Sequence, residues 1–106
     1  IVISEFGFPR AKESLSKKAS IGNRNTFYRE LFQLIEISSK EKSVLSGLNF
    51  WGFAGFAKTN EKNGKWEVGD DFSADPPQEP QGLNSVFASD TSILNLIKKY
   101  NDGLQD

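Results

Sequence analysis

The chain contains no histidine, no cysteine and no methionine, and these absences exclude several kinds of site. Without imidazole or thiolate groups, it cannot build a metal site from histidine or cysteine ligands. It also cannot pair a serine or cysteine nucleophile with a histidine base of its own. Because methionine is absent and the sequence opens inside a strand-like pattern, we expect it to be a piece of something longer.

Long apolar runs and an excess of positive charge are missing too. Thirteen lysine and arginine residues face fourteen aspartate and glutamate residues, for a net charge of −1. With no basic stripe, this balance argues against a nucleic-acid partner. No apolar run approaches the roughly 20 residues that cross a bilayer, and no cleavable signal pattern is visible. The 106 residues are enough for one domain with a core.

The first ten residues carry the most informative pattern. Apolar and β-branched side chains dominate residues 1–6 and predict a strand that is buried on both faces, which Gly7 and Pro9 then end. Glu5 falls at the C-terminal end of this strand, on its isoleucine-bearing face. A carboxylate there is costly to bury unless the protein uses it; the alternative is a glutamate that turns out to solvent.

The residue pattern after the first strand predicts a loop, a helix and a second strand, in that order. Residues 11–24 are polar and predict a surface loop. Apolar side chains at helical spacing predict a helix from about Thr26, with Asn25 or Thr26 as its N-cap, fading over residues 38–42. Residues 44–51 predict a second strand. The order strand, helix, strand predicts parallel pairing through a right-handed crossover.

The segment after the second strand has no sustained periodicity over residues 52–82. A mobile excursion is one interpretation, but Trp66 and three prolines favour an ordered loop that packs on itself. A second helix follows, with Asp90 or Thr91 as its cap and Gly103 at its end. The whole pattern is therefore α/β, with two βα units in a row.

Two strand ends and the long loop resemble parts of a known family. Residues 3–7, Ile-Ser-Glu-Phe-Gly, resemble the seventh-strand signature of glycoside hydrolase family 5, and residues 48–52, Leu-Asn-Phe-Trp-Gly, resemble its eighth strand. Residues 69–72, Gly-Asp-Asp-Phe, and residues 75–87, Asp-Pro-Pro-Gln-Glu-Pro-Gln-Gly-Leu-Asn-Ser-Val-Phe, followed by residues 90–92, Asp-Thr-Ser, form a segment that is similar to the C-terminal part of the endo-β-1,4-mannanases of that family. This last segment is the most specific of the three.

The resemblance implies a fold that this chain can only partly form. The family fold is a TIM (β/α)₈ barrel, which typically needs about 250 residues. Residues 1–106 would therefore be the C-terminal two βα units, strands seven and eight with their helices, of a single catalytic domain. Active sites of such barrels lie at the C-terminal ends of the strands, which is where Glu5 and Trp51 fall.

The resemblance also implies roles for individual residues. Glu5 matches the nucleophile of a retaining glycosidase, and Trp51 matches the aromatic platform under the sugar. The alternative for Trp51 is a plain core tryptophan. Trp66, Asp70 and Asp71 in the long loop are expected to bind sugar hydroxyls, although solvated acids are the alternative for the two aspartates. No cofactor or metal is implied.

The second carboxyl group that a retaining glycosidase needs has no match in this chain. In the family, the acid/base glutamate follows an asparagine at the end of the fourth strand. The only Asn-Glu pair here, Asn60-Glu61, lies in a polar loop with no strand before it and does not match. We therefore expect the chain alone not to hydrolyse mannan. Residues 52–57 also depart from the family pattern, which leaves the preference for mannose over glucose open.

The resemblance implies β-mannan or mannooligosaccharides as substrate and a secreted, periplasmic or cell-surface location. Two parallel strands with their helices leave open sheet edges. Without the missing N-terminal part of the barrel, we expect the chain to form homo-oligomers, swap elements or be only marginally folded. Two other functions remain open: a non-catalytic carbohydrate-binding or interaction module, and a fragment of a related β-1,4-glucanase.

Overall fold

The computed structural model describes residues 1–104, which form two βα units and a small second sheet. The elements in chain order are β1 (Val2–Phe6), a 3₁₀ turn (Ala11–Glu13), α1 (Gly22–Lys40), β2 (Gly47–Phe50), β3 (Phe53–Gly55), β4 (Val86–Phe87) and α2 (Thr91–Leu104). Neither helix in these residues is long and apolar enough to cross a membrane. The predicted α/β class, with helices near the predicted positions, is confirmed.

Strands β1 and β2 lie side by side as a parallel pair joined through α1, as the sequence predicts. Their register places Phe6 opposite Phe50, and the backbone N–H of Trp51 donates a 2.6 Å hydrogen bond to the carbonyl of Phe6. Because parallel strands point the same way, their C-terminal ends meet at one edge. Glu5 and Trp51 therefore lie at the same edge of the sheet.

Strand β1 is not buried on both faces, so that prediction is wrong for residues 1–104. Ile1 is 74% exposed and Val2 is 52% exposed, while Phe6 is half-buried. Burial on both faces of a parallel sheet requires helices on each side and strands beyond the pair. Within the described residues the sheet has only two strands, so apolar side chains suited to a barrel interior face solvent.

The core lies where α1 and α2 pack together and against the sheet ends. Its buried side chains are those of Tyr28, Val86, Ile93 and Leu96. Aromatic rings extend it: Phe6 meets the ring of Tyr28 edge-on, with centroids 4.9 Å apart, and Phe32 stacks on Tyr100 at 5.3 Å. The helical periodicity was therefore correct, with Tyr28 at the centre of the packed face of α1.

Helix α1 begins at Gly22, earlier than predicted, and neither Asn25 nor Thr26 caps it. Ile21 occupies the N-cap position without a side-chain hydrogen bond. A tertiary contact holds this first turn instead, since Arg24 is fully buried there. Its guanidinium donates hydrogen bonds to three backbone carbonyls, those of Phe8, Leu83 and Ser85.

A second buried arginine anchors the segment that precedes α1. Nη2 of Arg10 lies 2.7 and 2.6 Å from the two carboxylate oxygens of Asp90, and both side chains are almost fully buried. Nη1 of Arg24 lies 3.9 Å from the same carboxylate. Asp90 directly precedes α2, as predicted for a cap, but its carboxylate accepts a hydrogen bond from the N–H of Phe87. We call Arg10, Arg24 and Asp90 the buried ion cluster.

The long segment after β2 is ordered and contains a strand that the sequence did not predict. Strands β3 and β4 form a short parallel pair, with Phe53 opposite Val86 and Gly55 opposite Phe87. Strands of two or three residues are too short to show an alternating pattern.

The bounds of two predicted elements differ from those in the structure: β2 is shorter than residues 44–51, and α2 runs through Gly103 rather than ending there.

The hydroxyl of Tyr28 leads to a stability prediction. It is buried and has no hydrogen-bond partner within residues 1–104. Burial raises the pKa of Tyr28 to about 12, Arg24 opposes this and Asp90 adds to it. Because an unsatisfied buried hydroxyl is destabilising, Tyr28→Phe should leave the free energy of unfolding at pH 7 unchanged or raise it by about 1 kcal/mol.

The pH dependence of the same pair of proteins follows from that raised pKa. The pKa of Tyr28 is raised above its ordinary value of about 10, so the stability that its neutral phenol contributes is fully present below pH 10. This contribution, on the order of 2 kcal/mol, is lost as the pH rises towards 12. Urea unfolding at pH 8 and pH 11 should show a smaller loss for Tyr28→Phe than for the wild type. An equal loss would contradict the assignment.

Candidate active site

An open cavity of about 320 Å³ lies at the C-terminal edge of β1 and β2. The strand ends and a loop that folds back over them line it together. The lining residues are Glu5, Phe6, Gly7, Trp51, Pro76, Glu79 and Asn84. Strand order, pairing and loop path therefore bring a carboxylate, an indole and several further polar groups into one space.

The carboxylate of Glu5 is exposed at this cavity, and no hydrogen bond or ion pair within residues 1–104 occupies it. Two other acidic side chains are buried instead of exposed. Asp75 and Asp90 are 5% and 4% exposed, and buried donors satisfy their carboxylate oxygens. Those two carboxylates hold the fold, whereas the carboxylate of Glu5 is accessible to a molecule in the cavity.

The indole of Trp51 forms a second wall of the cavity. It is 39% exposed, and the peptide bond that follows it, to Gly52, is cis. The hydrogen bond from the N–H of Trp51 to Phe6 ties its backbone to the strand that carries Glu5. An exposed flat ring beside an accessible carboxylate is suited to stacking against the apolar face of a sugar.

Two glycines allow the loop to approach both strand ends closely. A Cβ at Gly7 would lie 3.1 Å from the Cβ of Asn84 and 3.2 Å from its amide group. A Cβ at Gly52 would lie 2.9 Å from the Cβ of Ala74, which real side chains do not tolerate. Gly52 also accepts a 2.9 Å hydrogen bond from the N–H of Val86. A larger residue at either glycine would push the loop away from the cavity.

Trp66, Asp70 and Asp71 lie elsewhere in the long segment and do not line this cavity. The ring of Trp66 stacks on Phe72 with centroids 5.5 Å apart. Asp70 and Asp71 each accept a 2.8 Å hydrogen bond from a backbone N–H of the surrounding loop. The structure thus shows local contacts for all three side chains, and their sugar-binding role stays a prediction.

Sequence reasoning missed Pro76, Glu79 and Asn84, which form the loop side of the cavity. The composition of this loop predicted that it is ordered but not where it packs. A segment without periodicity does not indicate which part of the fold it contacts. The only available signal was the specific segment 75–85, which contains all three residues. No group of three metal-binding side chains comes together anywhere in the part of the chain that the structure describes.

The family model described as GH family 5 beta-mannosidase-like matches residues 1–106. A comparison with curated protein sequences found no match.

Three solved structures of a glycoside hydrolase family 5 mannosidase from Rhizomucor miehei are similar to this chain. The unmodified enzyme has 28% identity and a TM-score of 0.79. A variant with one glutamate changed to alanine has 27% identity and a TM-score of 0.82. A second such variant, in complex with mannosyl-fructose, has 28% identity and a TM-score of 0.78.

Each comparison covers 99% of this chain and 26% of the Rhizomucor enzyme, so the chain spans about a quarter of the length of the structures it matches. It corresponds to an α/β portion of a larger glycosidase, with parallel strands and their helices. The expectation that further parts of a barrel complete it is consistent with this coverage. Since the family model matches its whole length, the chain belongs to the β-mannosidase-like enzymes of glycoside hydrolase family 5.

Proposed function

We propose that this chain, joined to the rest of its barrel, supplies the nucleophile and the sugar platform of a retaining enzyme that hydrolyses β-mannosidic bonds. One observation carries the proposal: the unoccupied carboxylate of Glu5 and the exposed indole of Trp51 line the same cavity at the ends of adjacent parallel strands. The C-terminal ends of the strands are where active sites of such barrels lie.

The chemistry assigned to this site has two steps. In the first, an oxygen of the Glu5 carboxylate bonds to the anomeric carbon, and the bond from that carbon to the leaving oxygen breaks. A second carboxyl group, supplied by the rest of the barrel, protonates the leaving oxygen. In the second step, water gives up a proton to that same group and attacks the anomeric carbon, which releases Glu5. Trp51 holds the ring of the sugar during both steps.

Surfaces away from the cavity support the proposal that further βα units surround this chain. An apolar groove of about 460 Å³ opens between α1, β2 and α2, with Phe32, Ile97 and Tyr100 among its lining residues. Side chains of β1 that suit a barrel interior are exposed. We place the two units at the seventh and eighth positions of the barrel, because residues 3–7 and 48–52 resemble those strands.

The substrate proposal is finer than the family assignment. Resemblance of residues 75–85 to endo-β-1,4-mannanases favours cleavage within mannan chains, and such a polymer would be met outside the cell, in keeping with a secreted, periplasmic or cell-surface enzyme. The complete barrel should be assayed on mannan, on mannooligosaccharides and on cellulose. Rapid loss of mannan chain length supports the endo mode, release of free mannose alone supports an exo-mannosidase, and activity only on cellulose would overturn the proposal.

The isolated chain should show no hydrolysis of mannan or mannooligosaccharides above the uncatalysed rate. It carries the proposed nucleophile, but a retaining mechanism also needs a second carboxyl group about 5–5.5 Å from the first. The measurement is release of reducing ends, with Glu5→Gln as the matched control.

Glu79 makes a second control necessary, because its carboxylate belongs to a residue that lines the same cavity. Turnover that disappears in Glu5→Gln would contradict the prediction. If Glu79→Gln also removed that turnover, Glu79 would be the missing acid/base, and the site would be complete within this chain.

A further inference from the structure

The loop of residues 73–85 is built around two buried polar side chains, Asp75 and Gln81. Asp75 is 5% exposed and Gln81 is 4% exposed, and neither lines the cavity. A buried carboxylate and a buried amide are costly unless hydrogen bonds satisfy them. In this loop five backbone groups and two serine hydroxyls, all from the loop itself, satisfy them.

The carboxylate of Asp75 holds the second half of the loop. Oδ1 accepts a 3.0 Å hydrogen bond from the N–H of Asn84. Oδ2 accepts bonds from the N–H of Gly82 at 2.8 Å and from the hydroxyl of Ser85 at 2.6 Å. Hydrogen bonds to a charged acceptor are stronger than neutral ones, so this half of the loop is tightly held.

The amide of Gln81 holds the first half. Nε2 donates to three backbone carbonyls, which are those of Asp75 at 3.1 Å, Pro76 at 2.8 Å and Glu79 at 3.2 Å. Its two hydrogens are therefore shared among three acceptors. Its Oε1 accepts a 2.6 Å hydrogen bond from the hydroxyl of Ser73.

These bonds reach the same residues that line the cavity. The loop contributes three residues to the cavity, Pro76, Glu79 and Asn84. Each of them has a backbone atom bonded directly to the side chain of Asp75 or of Gln81. The two buried side chains therefore hold the backbone that carries the side chains of Glu79 and Asn84 into the cavity.

We propose that Asp75 and Gln81 are positioning residues, which hold a preformed polar wall for sugar hydroxyls opposite the nucleophile and the indole. The carboxylate of Glu79 and the amide of Asn84 form this wall. The inference rests on the proposed function of this cavity and adds which residues hold its sugar-binding loop in place. A wall that is held before substrate arrives loses little conformational freedom on binding. Loosening it should weaken binding of the sugar more than it slows the chemistry at Glu5.

The test compares Asp75→Asn with the wild type in the complete enzyme, using mannooligosaccharides as substrate. Asparagine keeps the size of the side chain but replaces one acceptor oxygen by a donor, so it cannot accept all three hydrogen bonds. We expect KM to rise roughly tenfold while kcat changes much less, because the lost interaction is mainly one of binding. Glu61→Gln is the matched control, since Glu61 is exposed, lies outside the cavity and also accepts a backbone hydrogen bond.

A milder variant keeps the test decisive if Asp75→Asn does not fold. Ser85→Ala removes only one of the three bonds to Asp75 and should raise KM by a smaller factor, about threefold. A purely structural role would lower the unfolding temperature of either variant and leave KM unchanged. That result, or an equal rise in KM for Glu61→Gln, would overturn the inference.

Covalent labelling separates the inference from the proposed function beneath it. A 2-deoxy-2-fluoro-mannoside with a good leaving group should transfer its sugar to Glu5 in the wild type, and a mass shift of the Glu5 peptide reports this. If the wild type neither turns over nor labels at Glu5, the proposed function is wrong and the inference falls with it. If the wild type labels but Asp75→Asn keeps its KM, the inference alone is wrong.

Discussion

In the complete enzyme, Glu5→Ala is expected to lower kcat for β-mannosides on the order of 10⁵-fold. The reason is that a retaining mechanism passes through a bond between the nucleophile and the anomeric carbon, and alanine cannot form it. The residual rate comes from binding and from the acid/base group alone. The measurement is kcat on an aryl β-mannoside, whose good leaving group keeps the slow reaction observable.

Azide makes this prediction specific to a nucleophile. In Glu5→Ala, the small anion fits the space left by the carboxylate and attacks the anomeric carbon from the same side. The product is then α-mannosyl azide, with inverted configuration, and its formation should restore part of the lost rate. A variant that keeps more than a tenth of wild-type activity, or that gives a β-configured azide, would show that Glu5 is not the nucleophile.

The largest expected effect on stability comes from the buried ion cluster. Asp90→Ala should lower the free energy of unfolding by about 3–5 kcal/mol, because it leaves buried arginines without their counter-charge. Burial already lowers the pKa of Arg24, and the neighbouring Arg10 lowers it further, while Asp90 opposes both. Removing Asp90 takes away the carboxylate that lies 2.6 Å from Arg10 and 3.9 Å from Arg24 and leaves the repulsion between the two buried guanidinium groups.

Two comparisons establish that burial causes this effect. Asp102 pairs with Lys98 on the exposed face of α2, and Asp102→Asn should change the free energy of unfolding by less than about 1 kcal/mol. Replacing both partners, as in Arg10→Met with Asp90→Leu, should recover part of the loss. Urea unfolding of the complete enzyme, followed by circular dichroism, measures all three. Equal losses for Asp90→Ala and Asp102→Asn would contradict the argument.

The elements that were predictable from sequence are those with a local pattern. Strand β1 follows from its run of β-branched residues, and α1 and α2 follow from apolar side chains at helical spacing. The parallel pairing of β1 with β2 follows from their order around a helix. The position of Glu5 at a strand end followed in the same way, and the resemblance then proposed its chemistry.

The elements that were missed depend on contacts between distant residues. Helix α1 starts at Gly22 because Arg24 bonds to carbonyls about 60 residues away in sequence, and no propensity near Asn25 indicates this. Strands β3 and β4 are visible only once the loop has returned to Gly52. The prediction that β1 is buried on both faces failed for a different reason. Its apolar pattern is typical of a strand that is covered on both faces of a larger sheet, and residues 1–104 contain only one strand that pairs with it.

By itself the sequence determined that β1, α1, β2 and α2 follow one another in that order, which chemistries the chain lacks, and that an acid and a tryptophan end two adjacent parallel strands. Only the tertiary structure decided that Glu79 and Asn84 face them and that Asp75, Gln81 and Arg24 are buried to hold the loop there. Local periodicity reflects which face of an element is apolar. The path of a loop depends on hydrogen bonds between buried side chains and remote backbone, which leave no period in the sequence.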